Sequence, residues 1–149
     1  MSEWQAFADR ETLDQALAVR VVSSLQQGIA QRGAAHLVVS GGSTPVNLFS
    51  ILVDSDVDWS RVVVLLADER WVPVDHEDSN ERLVRETLLT GKAHQAQFVS
   101  LLPTPDNEIA NISAVATLLG TLPKFDMVLL GMGEDAHTAS LFPCAAALR

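Results

Sequence analysis

Three short stretches of this chain hold the residue types from which a polar reaction site is built. Ser40-Gly41-Gly42-Ser43-Thr44-Pro45 places two glycines, whose backbone can approach a ligand closely, among three hydroxyls. A helix starting at Pro45 would add unpaired N–H groups and a positive dipole end, the ingredients of an anion cradle with phosphate as the natural anion. The same residues also suit a tight turn with an ordinary helix cap. The stretch lacks the Gly-Lys-Ser/Thr ending of a Walker loop and the GxGxxG spacing of a dinucleotide site.

The second stretch, Ala67-Asp68-Glu69-Arg70-Trp71-Val72-Pro73, sets two carboxylates beside an arginine. That combination serves acid–base work with phosphate or hydroxyl recognition, or else a solvated charge cluster with a local salt bridge. Asp78-Ser79-Asn80 follows, where a helix N-cap accounts for Ser79 or Asn80. The third stretch, from Gly131 to Pro143, puts His137 close to Glu134 and Asp135. Imidazole titrates near neutral pH, and a carboxylate partner fixes its tautomer and raises its basicity. Water activated by such a histidine can attack an ester or lactone carbonyl; the competing reading is a structural histidine in a loop. No GxSxG elbow is present, which disfavours a serine hydrolase.

These stretches need elements to hold them, and the hydrophobic period supplies them. Apolar residues at Leu13, Leu17, Val21 and Leu25 predict an amphipathic helix from Asp9, its cap, to about Gln31, ended near Gly33. A strand is expected at Leu37-Val38-Val39. A helix follows to about Val53, with Thr44 as N-cap and Pro45 in its first turn. Val62 to Leu66, apolar on both faces, reads as a central parallel strand. A helix from about Asn80 to Thr90, stopped by Gly91, leads to a third strand at Phe98 to Leu101. A helix capped by Asp106 closes near Gly120, and a fourth strand runs from Phe125 to Leu130. This alternation predicts a three-layer, Rossmann-like α/β fold with a mostly parallel sheet, formed by residues 1–149 as a single domain. In such sheets ligands bind beyond the carboxyl ends of the strands, and all three polar stretches directly follow a predicted strand.

Composition narrows the function classes. The chain has 149 residues, 48% hydrophobic and 19% charged, as expected of a globular protein. A net charge of −9 disfavours coating of nucleic acid or anionic membrane, and the tryptophans are not interleaved with basic residues. The single cysteine, Cys144, excludes an internal disulfide or CxxC metal site, and points to a reducing, cytoplasmic compartment. No signal-peptide layout or membrane-length apolar run is present. His36, His76 and His94 share no metal-ligand spacing and are expected at the surface or flanking a strand.

Taken together, Ser40 to Pro45, Asp68 to Pro73, Asp78 to Asn80 and Gly131 to Pro143 resemble the 6-phosphogluconolactonases, in order and in strand context, over essentially the whole chain. The wider superfamily includes the glucosamine-6-phosphate deaminases and isomerases. The resemblance implies hydrolysis of 6-phospho-D-glucono-1,5-lactone in the pentose phosphate pathway, with no cofactor and no metal. It implies that His137 is the general base and that Asp135 or Glu134 orients and polarises it. Ser40, Gly41, Gly42, Ser43 and Thr44, with Arg70, would hold the 6-phosphate. Asp68 would contact sugar hydroxyls or order the site. The partner implied is a small phosphosugar lactone, with the oligomeric state left open.

Two departures accompany the resemblance. Position 136 is Ala where the family pattern has Gly, and a positive φ there would cost on the order of 1 kcal/mol. Family members also continue past the position of Arg149, so the sheet is expected to be truncated at its C-terminal side. The rival readings are an aminosugar-6-phosphate isomerase or deaminase, and a sugar-phosphate binder without catalysis.

Overall fold

The computed structural model describes residues 4–133, 136–143 and 146. Helix α1 (Arg10–Arg32) leads to strand β1 (Ala35–Val39), followed by α2 (Val46–Leu52), β2 (Val62–Leu66) and α3 (Asn80–Thr87). Strand β3 (Gln97–Val99), α4 (Glu108–Thr121) and β4 (Met127–Val128) complete the order, with short 3-10 turns at Trp59–Arg61 and Gly91–Gln95. The four strands form one sheet in the order β3-β2-β1-β4, and every pairing is parallel. This is the expected α/β architecture.

Local chemistry explains most of the element boundaries. Asp9 caps α1 by accepting the Thr12 N–H at 2.8 Å, and Gly33 ends it with φ 80. Ser79 caps α3 by accepting the Arg82 N–H at 3.2 Å. Two expected caps are displaced. α2 begins at Val46, with Pro45 already near helical dihedrals and no side chain capping it, while the Thr44 carbonyl accepts the Arg10 guanidinium. α4 is capped by Asn107, not Asp106: Asn107 is the extended residue whose side chain reaches the Ala110 N–H at 3.0 Å.

α3 ends three residues before the expected Thr90. The N–H groups of both Leu88 and Leu89 converge on the Val84 carbonyl, which closes the helix. β3 is likewise displaced by one residue toward the N-terminus and shortened. β4 is shorter than Phe125 to Leu130 because it pairs with β1 alone, through Leu37 with Met127 and Val38 with Val128. The ladder extends by one bond at each end, Asp126 N–H to the His36 carbonyl at 2.9 Å and Leu129 N–H to the Val38 carbonyl at 2.8 Å.

The core lies where α1 and α2 pack on the two inner strands. All five residues of β1 are buried, and in β2 only Val63 is partly exposed. Val21 and Leu25 of α1, Phe49 and Leu52 of α2, and Trp59 fill the space against Leu37, Val39, Val62 and Val64. His36 belongs to this buried set. Expected at the surface or flanking a strand, it lies inside β1 at 6% exposure, because the strand begins at Ala35 and is covered on both faces. No helix among the described residues is long and apolar enough to cross a membrane.

Candidate active site

A fully parallel sheet gathers the ends of its strands along one edge. Val39 is in register with Leu66, and Val38 with Val128, so the chain leaves β1, β2 and β4 at nearly the same height. β2 and β4 lie on opposite sides of β1, so successive connections diverge there. Such a switch point opens the crevice in which α/β sheets bind ligands.

The loop after β1 runs from a buried Ser40 through Gly41 and Gly42 to Ser43 and Thr44. Gly42 has φ 80, a conformation that favours glycine. Gly41 is required for a different reason: a Cβ there would lie 1.8 Å from Asn80 Oδ1. Behind the loop, the Arg10 guanidinium donates to the Thr44 carbonyl. Arg10 is itself held by the buried Asp14 carboxylate, with Nε 3.1 and 3.0 Å from its two oxygens. Because α2 has seven residues, the loop's own N–H groups and hydroxyls, and not a long macrodipole, are what it offers an anion.

The loop after β2 divides the two neighbouring carboxylates between different tasks. Glu69 turns toward α3 and accepts the N–H groups of Asn80 and Glu81, each at 2.7 Å, and the Ser79 hydroxyl at 3.3 Å. A negative charge at a helix N-terminus satisfies orphan donors and complements the dipole, so Glu69 is committed to structure. Asp68 instead faces the crevice and accepts the Ser140 hydroxyl at Oδ2. Arg70 Nη1 donates to Asn80 Oδ1 and, at 3.3 Å, to the Asp78 carbonyl, two neutral acceptors that do not cancel the guanidinium charge.

The loop after β4 turns sharply around His137. The Ala136 N–H donates to the Gly133 carbonyl and the Gly133 N–H to the His137 carbonyl, both at 2.9 Å. This closure puts Ala136 at φ 65, and Ala139 follows at φ 52. Thr138 and Leu141 bridge in antiparallel fashion. The chain thereby folds back so that the Phe142 ring stacks on the His137 imidazole, with centroids 4.7 Å apart and planes inclined by 27°. Glu134 and Asp135, the sequence candidates for orienting His137, lie outside the described residues.

These loops enclose one cleft of about 220 Å³. Ser40, Gly41, Gly42, Ser43 and Thr44 form one wall, and Asp68, Arg70 and Asn80 another. Gly131, Met132, Gly133, His137 and Ala139 form the third. The volume falls below the roughly 300–1,000 Å³ of pockets for drug-sized ligands and suits a compact polar molecule. The cleft therefore brings hydroxyls, backbone amides, a guanidinium, a carboxylate and an imidazole around one space. Among the described residues, no group of three or more His, Cys, Asp or Glu side chains is placed to hold a metal ion.

Eight of the ten sequence candidates thus share one cleft, and the other two lie outside the described residues. Sequence reasoning missed Asn80, which reads as a helix cap beside Ser79 but lines the cleft and bonds both neighbours of Glu69. It also missed Ser140 and Phe142, whose contacts with Asp68 and His137 form only once the third loop closes. Two signals pointed to Asn80: it belongs to the Asp78 to Asn80 segment that carries the resemblance, and it directly follows a competent serine cap, which left its own side chain without a capping task.

Comparison with known proteins agrees with this geometry. The sequence profile of the family described as glucosamine-6-phosphate isomerases/6-phosphogluconolactonase matches residues 8–149. A 6-phosphogluconolactonase of Pseudomonas putida is 48% identical over 139 residues, covering 93% of this chain and 57% of its own length. One from Pseudomonas aeruginosa is 47% identical over 132 residues, covering 85% and 54% respectively. The crystal structure of a 6-phosphogluconolactonase from Shewanella baltica superposes with a TM-score of 0.91 at 46% identity, covering 99% of this chain and 64% of that one. The chain thus spans little more than half the length of the two Pseudomonas relatives. On the strength of the matched profile and these identities, the chain belongs to the glucosamine-6-phosphate isomerase/6-phosphogluconolactonase family.

Proposed function

We propose that this cleft hydrolyses 6-phospho-D-glucono-1,5-lactone to 6-phosphogluconate, without cofactor or metal. One observation carries the reading: His137 and the Ser40–Thr44 loop, with Arg70, line the same cleft. The names of the relatives point to the same substrate.

In this reading the phosphate lies against the Ser40–Thr44 amides and hydroxyls, with Arg70 as its counter-charge. Binding the distant anionic end fixes the lactone carbonyl near His137, so positioning energy is spent at the reacting centre. The neutral imidazole takes a proton from water as the water oxygen bonds to the lactone carbon. The carbonyl electrons move onto oxygen, giving a tetrahedral oxyanion that needs a donor. The Gly133 N–H is taken up by the His137 carbonyl, so the adjacent Gly131 and Met132 amides are assigned this task. Collapse breaks the bond to the ring oxygen, which takes the proton back from the imidazolium.

Asp68 accepts a sugar hydroxyl while its other contact, Ser140, ties the histidine loop in place. Glu134 and Asp135 are assigned to orienting His137 by their adjacency in sequence. The test is hydrolysis of freshly generated 6-phosphogluconolactone by the protein, measured against the spontaneous rate. Turnover well above background is expected. A background rate, or ammonia release from glucosamine 6-phosphate in its place, would overturn the reading.

A further inference from the structure

We propose that Asn80 is a positioning residue that presents Arg70 to the anion, an assignment that rests on reading the cleft as a phosphate site. Asn80 is 2% exposed, although it sits at the start of a surface helix and its neighbour Arg70 is exposed. Its side-chain amide is used at both ends. Nδ2 donates to the Asp68 carbonyl at 2.9 Å, and Oδ1 accepts from Arg70 Nη1. A carbonyl can only accept and a guanidinium can only donate, so these two partners fix which way the amide faces. The Asn80 backbone is fixed as well, because its N–H is held by the Glu69 carboxylate at 2.7 Å.

The anion loop accommodates this side chain. The missing Cβ of Gly41 leaves the space that Asn80 Oδ1 occupies, and a methyl group there would lie 1.8 Å from that oxygen. One buried amide therefore touches the loop after β1, the end of β2 and the guanidinium. Arginine carries substantial rotamer entropy, so an exposed guanidinium binds an anion well only if its direction is settled beforehand. Asn80 settles it without neutralising it, because an amide oxygen carries no net charge. An aspartate of the same shape would cancel the guanidinium and turn an oxygen toward the Asp68 carbonyl.

Calorimetric titration with inorganic phosphate tests the assignment in wild type, Arg70→Ala, Asn80→Ala, Asn80→Asp and the Arg70→Ala/Asn80→Ala double variant. Loss of a hydrogen bond to a charged group predicts roughly tenfold weaker binding for Asn80→Ala. Because Asn80 acts through Arg70, the double variant should bind within about twofold of Arg70→Ala alone. Asn80→Asp, which preserves volume if the alanine variant folds poorly, should lose at least as much as Asn80→Ala. Wild-type affinity in either Asn80 variant, fully additive losses in the double variant, or no phosphate binding by wild type would each overturn the assignment. Lactone turnover by wild type is a separate arm: its absence would sink the hydrolytic reading while leaving the phosphate comparison readable.

Discussion

The Ser140 hydroxyl donates to Asp68 Oδ2 across 72 residues of sequence, tying the histidine-bearing loop to the carboxylate at the end of β2. The two halves of the proposed chemistry are thus joined by a bond that neither half makes alone. Replacing Ser140 by Ala removes it at an exposed position, so the melting temperature should change little. The loop that carries His137 should lose its register against the substrate, and kcat should fall about tenfold, in line with the roughly 1.5 kcal/mol of a modest bond to a charged acceptor. Steady-state kinetics beside a thermal melt checks both halves of this expectation.

Ala136 adopts φ 65 immediately before His137. An L side chain in this region costs roughly 1 kcal/mol relative to glycine. Ala136→Gly should therefore raise stability by up to about 1 kcal/mol, or about 2–4 °C in melting temperature for a chain of this size. Ala136→Val should lower it. A melting series over the three residues measures the ordering Gly, Ala, Val from most to least stable.

Gly41 and Gly42 are adjacent but depend on glycine for different reasons, and alanine substitution separates them. Gly42→Ala meets nothing within 4 Å and suffers only from its φ of 80. Gly41→Ala drives a methyl group into the Asn80 amide at 1.8 Å, so something must shift. Overpacking of this kind costs typically 1–3 kcal/mol. Phosphate affinity should drop more for Gly41→Ala than for Gly42→Ala, because only the former displaces Asn80 from Arg70. Parallel calorimetry and denaturant unfolding of the two variants provide the comparison.

His36 supplies a pH dependence of stability away from the cleft. Burial in β1 pushes its pKa below the ordinary 6.5; the nearby Asp126 carboxylate opposes this, and Arg32 adds to the lowering. Folding therefore favours the neutral ring, and the unfolded chain binds the extra proton first. The resulting stability is fully present above about pH 6.5 and is lost as pH falls below that value toward the folded pKa. Denaturant unfolding at pH 7.5 and 5.5 should show a smaller acid loss in His36→Gln than in wild type.

Much of the scaffold was legible because short-range chemistry decides it. Asp9 reaching the Thr12 N–H and Gly33 turning left-handed are local events, and both ends of α1 follow from them. Thr44 was misread as a cap because the competing partner of its backbone, Arg10, lies 34 residues earlier. Asp106 was one residue out because Asp and Asn cap equally well, and only backbone dihedrals choose between neighbours. His36 was expected at the surface or flanking a strand; its burial inside β1 depends on the elements packed over the strand, not on the strand itself.

The candidate site shows the same division. His137, Arg70 and the glycine loop stand out by residue type, and parallel strand order brings them together. What distinguishes Asp68 from Glu69 is the position of α3, whose N-terminal amides claim Glu69 and leave Asp68 to the cleft. Asn80 and Phe142 act through partners distant in sequence or brought close by loop closure, so residue type alone gave them no task.

His137 is the proposed base, in the same cleft as the proposed phosphate loop. The most direct test of this role compares wild type and His137→Ala for hydrolysis of 6-phosphogluconolactone, with inorganic phosphate binding measured on both proteins. The variant should bind phosphate nearly as well as wild type, while its hydrolysis falls by about 10²-fold or more, toward the spontaneous rate. Equal hydrolysis by the two proteins would contradict that role.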